Sequence, residues 1–222
     1  MDKNRFIQIT PDLQEYINKI SVRESKALIK HRIENSENES NKLQSSPDQT
    51  QFIALLAKII QAKKIIEIGT YKGYTTLALA EAIAEDGQII ACEINKQWTN
   101  IAEKYWEDAK VNHKIHVKNT YALDTLNELI NQGQRESFDF IFIDADKENY
   151  CLYYDLSFEL IRPSGLIVID NTLWYGNVIK PEINDKMTEE IRKLNLKLME
   201  DKRVDISLLP LRDGLTIVQK NL

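Results

Sequence analysis

The chain has 222 residues, 43% of them hydrophobic and 28% charged, and a formal net charge of −5. That is the make-up of an ordinary soluble globular protein, long enough for one α/β domain. Every apolar run is broken by charge short of the ~20 residues a membrane span needs, and the acidic balance argues against nucleic acid as the main partner. The opening "MDKNRFIQIT" has an acidic second residue and no apolar h-region, so no secretory signal is expected. Cys92 and Cys151 sit among apolar or aromatic neighbours and read as reduced, buried thiols of a cytoplasmic protein. No internal repeat and no zinc-type spacing of cysteine and histidine occurs.

Residues 1–44 read as a helical segment. "DLQEYINKI" places Leu13, Tyr16, Ile17 and Ile20 on one helical face, and "RESKALIKHRIEN" does the same with Leu28, Ile29 and Ile33. The polar stretch "ENSENESNK" is expected to be a loop. "SPDQTQFIALLAKII" then opens a helix: Ser46 is a candidate N-cap, Pro47 suits the first helical position and Gln49 completes a capping box. From residue 63 short β-branched runs alternate with amphipathic helices. The expected strands are "KKIIEIG", "QIIACE", "KIHVK", "FDFIFID" and "LIVID". The intervening helices are "YTTLALAEAIAEDG", "KQWTNIAEKYWEDA", "ALDTLNELINQG" and "NYCLYYDLSFELIRPSG". A polar loop, "NTLWYGNV", precedes a helix around "MTEEIRKLNLKLMED", and "VDISLLP" and "GLTIVQK" form an antiparallel pair. Repeated βα units with near-continuous apolar strands predict a mostly parallel seven-stranded sheet covered on both faces. Ligands bind such sheets at the C-terminal ends of the strands.

The unusual residues stand at those ends. After the first strand, "GTYKG" is neither the dinucleotide fingerprint, since Tyr71 replaces its second glycine, nor a P-loop. Glu67 is a carboxylate inside an otherwise apolar strand, able to accept a hydrogen bond from a ligand's ammonium or amide; an incidental acid beside a glycine turn is the other account. Glu93 ends the second strand, where an acid pairs with ribose hydroxyls in nucleoside-binding α/β folds. Asp144, Asp170 and Asn171 end the fourth and fifth strands, expected to be neighbours roughly 5 Å apart. Their oxygens suit Mg²⁺, Mn²⁺ or Ca²⁺ rather than zinc; a simple helix cap explains one such Asp but not the set. His31, His113 and His116 form no metal set and read as structural or solvent-facing. Trp98, Tyr105 and Trp106 fall at helical spacing, the pattern of core packing or a partner-facing surface.

Taken together, "EIGTYKGYTTLALA", "ACEINKQWTNIAEKYW", "FDFIFIDADKENY", "LIVIDNTLWYGNV" and "LPLRDGLTI" resemble the cation-dependent O-methyltransferases, the group of caffeoyl-CoA and catechol O-methyltransferase-like enzymes with their bacterial relatives. The likeness runs from about Ser45 to the C-terminus. It implies a Rossmann-like class I methyltransferase core over 45–222, within a single domain of 1–222 whose first 44 residues are divergent. It also implies S-adenosylmethionine and a divalent cation as cofactors, a vicinal diphenol as acceptor, and a homodimer. The family's cofactor contacts fall on Ser45, Glu67, Gly69, Thr70, Thr75, Glu93, Ala122, Asp144 and Asp146. Its metal ligands fall on Asp144, Asp170 and Asn171, and its proposed general base on Lys147; Asp144 and Asn171 complete the catalytic set. The acceptor side falls on Trp174, Tyr175 and Asp213. Two departures stand out: Thr75 replaces the commoner serine and keeps the hydroxyl, and Tyr175 stands where plant relatives carry asparagine. The competing readings are a nicotinamide-nucleotide binder and a non-catalytic dimeric protein that keeps the fold.

Overall fold

The computed structural model describes residues 7–36 and 43–222, so most of the expected polar loop lies outside the described residues. Helices α1 (Pro11–Ser21) and α2 (Lys26–Glu34) start at Thr10 and Ser25, whose hydroxyls accept from the amides of Leu13 and Leu28. Helix α3 (Pro47–Ile59) begins where Pro47 predicts, but the capping box does not form. Ser46 accepts no cap bond, and Gln49 is buried with its side-chain Nε2 unpartnered.

The βα units follow as β1 (Lys64–Ile68), α4 (Tyr74–Ala82), β2 (Gln88–Cys92), α5 (Lys96–Asp108), β3 (Ile115–Lys118), α6 (Ala122–Asn131), β4 (Phe138–Ile143), α7 (Tyr150–Leu160) and β5 (Ile161–Ile169). Helix α8 (Lys186–Glu200) leads into β6 (Val204–Leu209) and β7 (Leu215–Lys220). The sheet order is β3-β2-β1-β4-β5-β7-β6, parallel except for β7, which runs antiparallel to both β5 and β6. Two boundaries differ from the sequence reading. Helix α4 stops at Ala82 rather than Gly87, because buried Lys114 caps its end through the carbonyls of Ala80 and Ile83 at 3.2 and 3.3 Å. Strand β5 starts at Ile161, inside the expected helix: Phe138 pairs with Ile161 and Phe140 with Leu166, so the residues between arch out of register, with Ser164 at φ +60°.

Alternation along the strands sends side chains to two cores. Ile65, Ile89, Phe140, Phe142 and Val168 pack with Ile53, Leu77, Leu79 and Trp106 on the side of α3, α4 and α5. Ile66, Ile68, Ile141, Ile143, Ile167 and Ile169 pack with Leu126, Tyr154, Ile191 and Leu194 on the side of α6, α7 and α8. Apolar residues on both faces of each central strand are what a doubly covered parallel sheet requires. Both cysteines are free; Cys92 is buried and Cys151 half-buried. Among the described residues no helix is long and apolar enough to cross a membrane.

Candidate active site

The strands end level. Ile68 pairs with both Cys92 and Ile143, and Ile143 pairs with Ile169. The residues that follow them, Gly69, Glu93, Asp144 and Asp170, therefore share one edge. It lies where the chain order reverses about β1, the place open α/β sheets keep for ligands. A cavity of about 470 Å³ opens there, lined by Ser45, Glu67, Gly69, Thr70, Thr75, Glu93, Ala122, Asp144, Asp146 and Lys147.

Gly69 makes the close approach between β1 and β4 possible. Its φ is +89°, and a Cβ on it would stand 2.1 Å from the carbonyl oxygen of Asp144. Glu67 is fully buried; one oxygen accepts from the Thr76 hydroxyl and Oε1 has no partner. Burial pushes its carboxyl up to about 8, with the charges of Asp144 and Glu93 adding to the rise and Thr76 opposing it. Glu93 accepts from the Tyr71 amide through Oε2 at 2.7 Å and from the Asn95 amide through Oε1 at 2.8 Å, which fixes its carboxylate plane. Asp146 accepts from Tyr153 Oη at 2.5 Å and from Asn149 Nδ2 at 2.5 Å.

Lys147 is nearly buried, and its Nζ donates to Asp144 Oδ1 at 3.0 Å and to Tyr150 Oη at 2.7 Å. Its ammonium also lies 6.0 Å from the centre of the Trp174 ring. Asp170 is 4% exposed, and burial together with the facing charge of Asp144 pushes its carboxyl up to about 7. Asn171 sits at φ +58°, donating its amide to Asp170 Oδ1 at 2.7 Å and its Nδ2 to Asp213 Oδ2 at 3.3 Å. Asp213 Oδ1 also accepts from the Tyr175 amide at 2.5 Å, and Tyr175 is 73% exposed. Trp174, Tyr175 and Gly176 all have positive φ, so the loop is a kinked, left-handed turn, tied down by the β6–β7 connection through Asp213. Asp170, Asn171, Trp174, Tyr175 and Asp213 thus stand beside the cavity rather than in its wall.

An aromatic rim is absent from the sequence reading. Tyr71 and Trp98 meet edge to face at 4.7 Å, and with Tyr121 and Ile94 they line the cavity mouth. Helical spacing cannot separate Trp98 from its buried neighbours Tyr105 and Trp106; the only clue is that Ile94 and Tyr121 adjoin Glu93 and Ala122.

The site suits both groups that the resemblance implies. An unpartnered buried carboxylate oxygen on Glu67 and a second carboxylate at the β2 edge provide acceptors for the ammonium and ribose of S-adenosylmethionine. Asp144 and Asp170 face each other at a real electrostatic cost, and Asn171 adds a neutral oxygen, the donor chemistry of a hard divalent cation. Among the described residues no three acidic, histidine or cysteine side chains converge as metal ligands; the set here is two acids and an amide.

Residues 18–221 match the O-methyltransferase family model, which takes in α2 and most of the stretch that reads as divergent. The chain is 45% identical over 174 residues to a probable caffeoyl-CoA O-methyltransferase of Dictyostelium discoideum, covering 78% of this chain and 75% of that one. To the caffeoyl-CoA O-methyltransferase of Medicago sativa it is 38% identical, over 94% of this chain and 88% of that protein. Among solved structures, the O-methyltransferase TomG of Streptomyces achromogenes, in complex with SAM, superimposes with a TM-score of 0.88 at 28% identity over 100% of both chains. The O-methyltransferase of Bacillus cereus, in complex with SAH, does so at 0.86 and 30% identity over 95% of this chain and 97% of that one. These matches set aside the nicotinamide-nucleotide and non-catalytic readings. With a class I methyltransferase sheet and this pocket at its edge, the chain belongs to the O-methyltransferase family that includes the caffeoyl-CoA enzymes, and is an S-adenosylmethionine-dependent O-methyltransferase.

Proposed function

We propose that this enzyme methylates one hydroxyl of a vicinal diphenol, a catechol-like, caffeoyl or flavonoid small molecule, with the help of a divalent cation held by Asp144, Asp170 and Asn171. The observation that carries this reading is the pair of facing carboxylates on β4 and β5, one of them buried, with an amide and an ammonium beside them. The names of the curated relatives support a phenolic acceptor. When bound, S-adenosylmethionine supplies a sulfonium methyl and the cation favours the phenolate of the acceptor.

The chain's own residues do the rest. Glu93 and Glu67 anchor the ribose and the amino group of the cofactor, with Asp146 at the cofactor's edge. Ser45, Thr70, Thr75 and Ala122 shape the cavity wall, and Gly69 lets the backbone come close. Lys147 donates in both of its bonds, an arrangement suited to steadying a phenolate; taking the phenol proton would first require the ammonium to give one up. With the cofactor held by Glu67 and Glu93 and the acceptor beside Lys147, the O–CH₃ bond would form as the S–CH₃ bond broke with its electron pair left on sulfur, and the phenol's proton would pass to solvent. The products are a methyl ether and S-adenosylhomocysteine. Trp174 and Tyr175 flank the acceptor, and Asp213 acts by holding Asn171 and the turn. The enzyme works in the cytoplasm as a homodimer.

The test is turnover of a generic catechol with S-adenosylmethionine, with added Mg²⁺ and with chelator. Chelation is expected to abolish turnover and leave S-adenosylhomocysteine binding intact. Asp170→Asn should weaken Mn²⁺ binding, read by paramagnetic resonance, by at least ~10-fold. Full turnover in chelated buffer would sink the proposal.

A further inference from the structure

Helix α2 carries none of the family motifs, yet one of its residues reaches the turn that borders the cofactor cavity. His31 is 0% exposed, and its Nε2 lies 2.6 Å from the carbonyl oxygen of Lys72. A carbonyl only accepts, so Nε2 carries the hydrogen. Nδ1 is buried without a partner, which suits a bare lone pair and would strand a second N–H. The ring is held between Tyr105 and Tyr74, at centroid distances of 4.4 and 5.4 Å. The residues flanking α2 are tied to the same place: Tyr74 donates to Glu24 at 2.6 Å and Asn35 to Tyr105 Oη at 3.2 Å.

The turn that His31 grips is strained. Gly69, Tyr71 and Gly73 have φ values of +89°, +50° and +78°. A tyrosine stays in the left-handed region only when its surroundings hold it there. Two carbonyls of the turn are taken by ring N–H groups outside the cavity: that of Lys72 by His31, and that of Gly73 by Trp106 Nε1 at 3.1 Å. On the cavity side the Tyr71 amide grips Glu93 Oε2. The turn is therefore stretched between an anchor in α2 and α5 and the carboxylate at the end of β2.

We propose that His31 is a positioning residue for S-adenosylmethionine. By holding the Lys72 carbonyl it keeps the turn, and through Tyr71 the Glu93 carboxylate, in the shape that binds the cofactor. Without that bond the turn relaxes in the free protein and must be reordered on binding, a cost that appears in affinity. Lys147, Asp170 and Asn171 belong to β4, β5 and the loops after them, so the chemical step at saturating cofactor is left alone.

The test compares wild type with His31→Phe and His31→Gln by calorimetry with S-adenosylhomocysteine and by steady-state kinetics. The phenylalanine fills the space but leaves the Lys72 oxygen buried and unpaired, so affinity should fall roughly tenfold, with kcat at saturating S-adenosylmethionine within about twofold of wild type. The glutamine amide can reach the same oxygen and should restore most of the affinity. Wild-type affinity in a folded His31→Phe enzyme, or equal losses in both variants, would overturn the proposal, as would a fall in kcat with KM unchanged. A measurement on the wild type alone guards against a variant that does not fold. The His31 Nε2 proton should give a slowly exchanging nuclear magnetic resonance signal that shifts when S-adenosylhomocysteine binds. No such proton, or one indifferent to the ligand, also overturns it.

Discussion

A carboxyl group sealed at the end of a strand, as Glu67 is, keeps its proton well past the point where a free glutamate has lost it. The unfolded chain releases that proton near 4.5 and the folded one near about 8. Between those values the folded state binds one proton more than the unfolded state, so this group's contribution is fully present below about 4.5 and is lost as pH rises through about 8. The slope is ~1.4 kcal/mol per pH unit, or roughly 3–6 °C in Tm per pH unit for a chain of this size. Thermal melts of the cofactor-free protein from pH 6 to 8 should show this fall in wild type and a shallower one in Glu67→Gln, where the raised carboxyl of Asp170 still contributes. The same substitution should weaken S-adenosylhomocysteine binding, because Glu67 can give up its proton to face the ligand's ammonium as a carboxylate and an amide cannot. A Glu67→Gln protein with the wild-type pH slope would refute the assignment. At this scale the sequence is informative where chemistry interrupts a pattern: Glu67, Glu93, Asp144 and Asp170 each break or end an apolar run. His31, Tyr71 and Trp98 break nothing. A buried histidine on an amphipathic helix and an aromatic at helical spacing look like core, and only the folded chain shows which of them meets the cavity.

Elements were legible for the same reason, and missed where two signals disagreed. The strands β1, β2 and β4 are runs of β-branched and aromatic residues bounded by charge, which leaves little choice. Helix α4 reads as continuing to Gly87 because Ile83 and Ala84 stay apolar; its end is set by Lys114, far along the chain. The start of β5 is hidden behind Pro163 and Gly165, residues that signal a stop but here form an arch between two stretches of one strand. The Asn171–Gly176 turn is the element on which the proposed acceptor side depends, and Asp213 fastens it at two points. Asp213→Ala should free both, let the Asn171 amide rotate and lower Mn²⁺ affinity by ~10–100-fold. S-adenosylhomocysteine affinity should stay unchanged, since Asp213 lies outside the cavity wall. Paired titrations of metal and cofactor analogue check this; equal losses of both would point to general unfolding instead.

At the scale of the whole molecule, the outer surface of α1 and α3 exposes several large apolar side chains. Tyr16, Ile20, Leu55 and Ile59 are 58%, 59%, 49% and 66% exposed, and Ile20 and Leu55 border one groove. Exposed apolar side chains beside a groove favour association, so light scattering should report twice the 25.8 kDa of one chain. Ile20→Asp with Leu55→Asp should shift the protein to monomer; a wild-type monomer at micromolar concentration would end the homodimer proposal. Inside the fold, the contact of Gly69 with the Asp144 carbonyl has a further consequence. Backbone touches backbone there, with no room for even a methyl group. The spacing between the methyl donor's seat and the acceptor's seat is thus written in main-chain atoms, which no rotamer can adjust and no single substitution can lengthen by a little. Divergence toward new acceptors must leave that gauge alone and rework the Asn171–Gly176 turn at Trp174 and Tyr175, since Thr172 is fully buried and Asn171 is tied to Asp213. A laboratory library confined to Trp174 and Tyr175 should change which phenol is methylated while keeping the donor, whereas variation at Gly69 should yield only inactive protein.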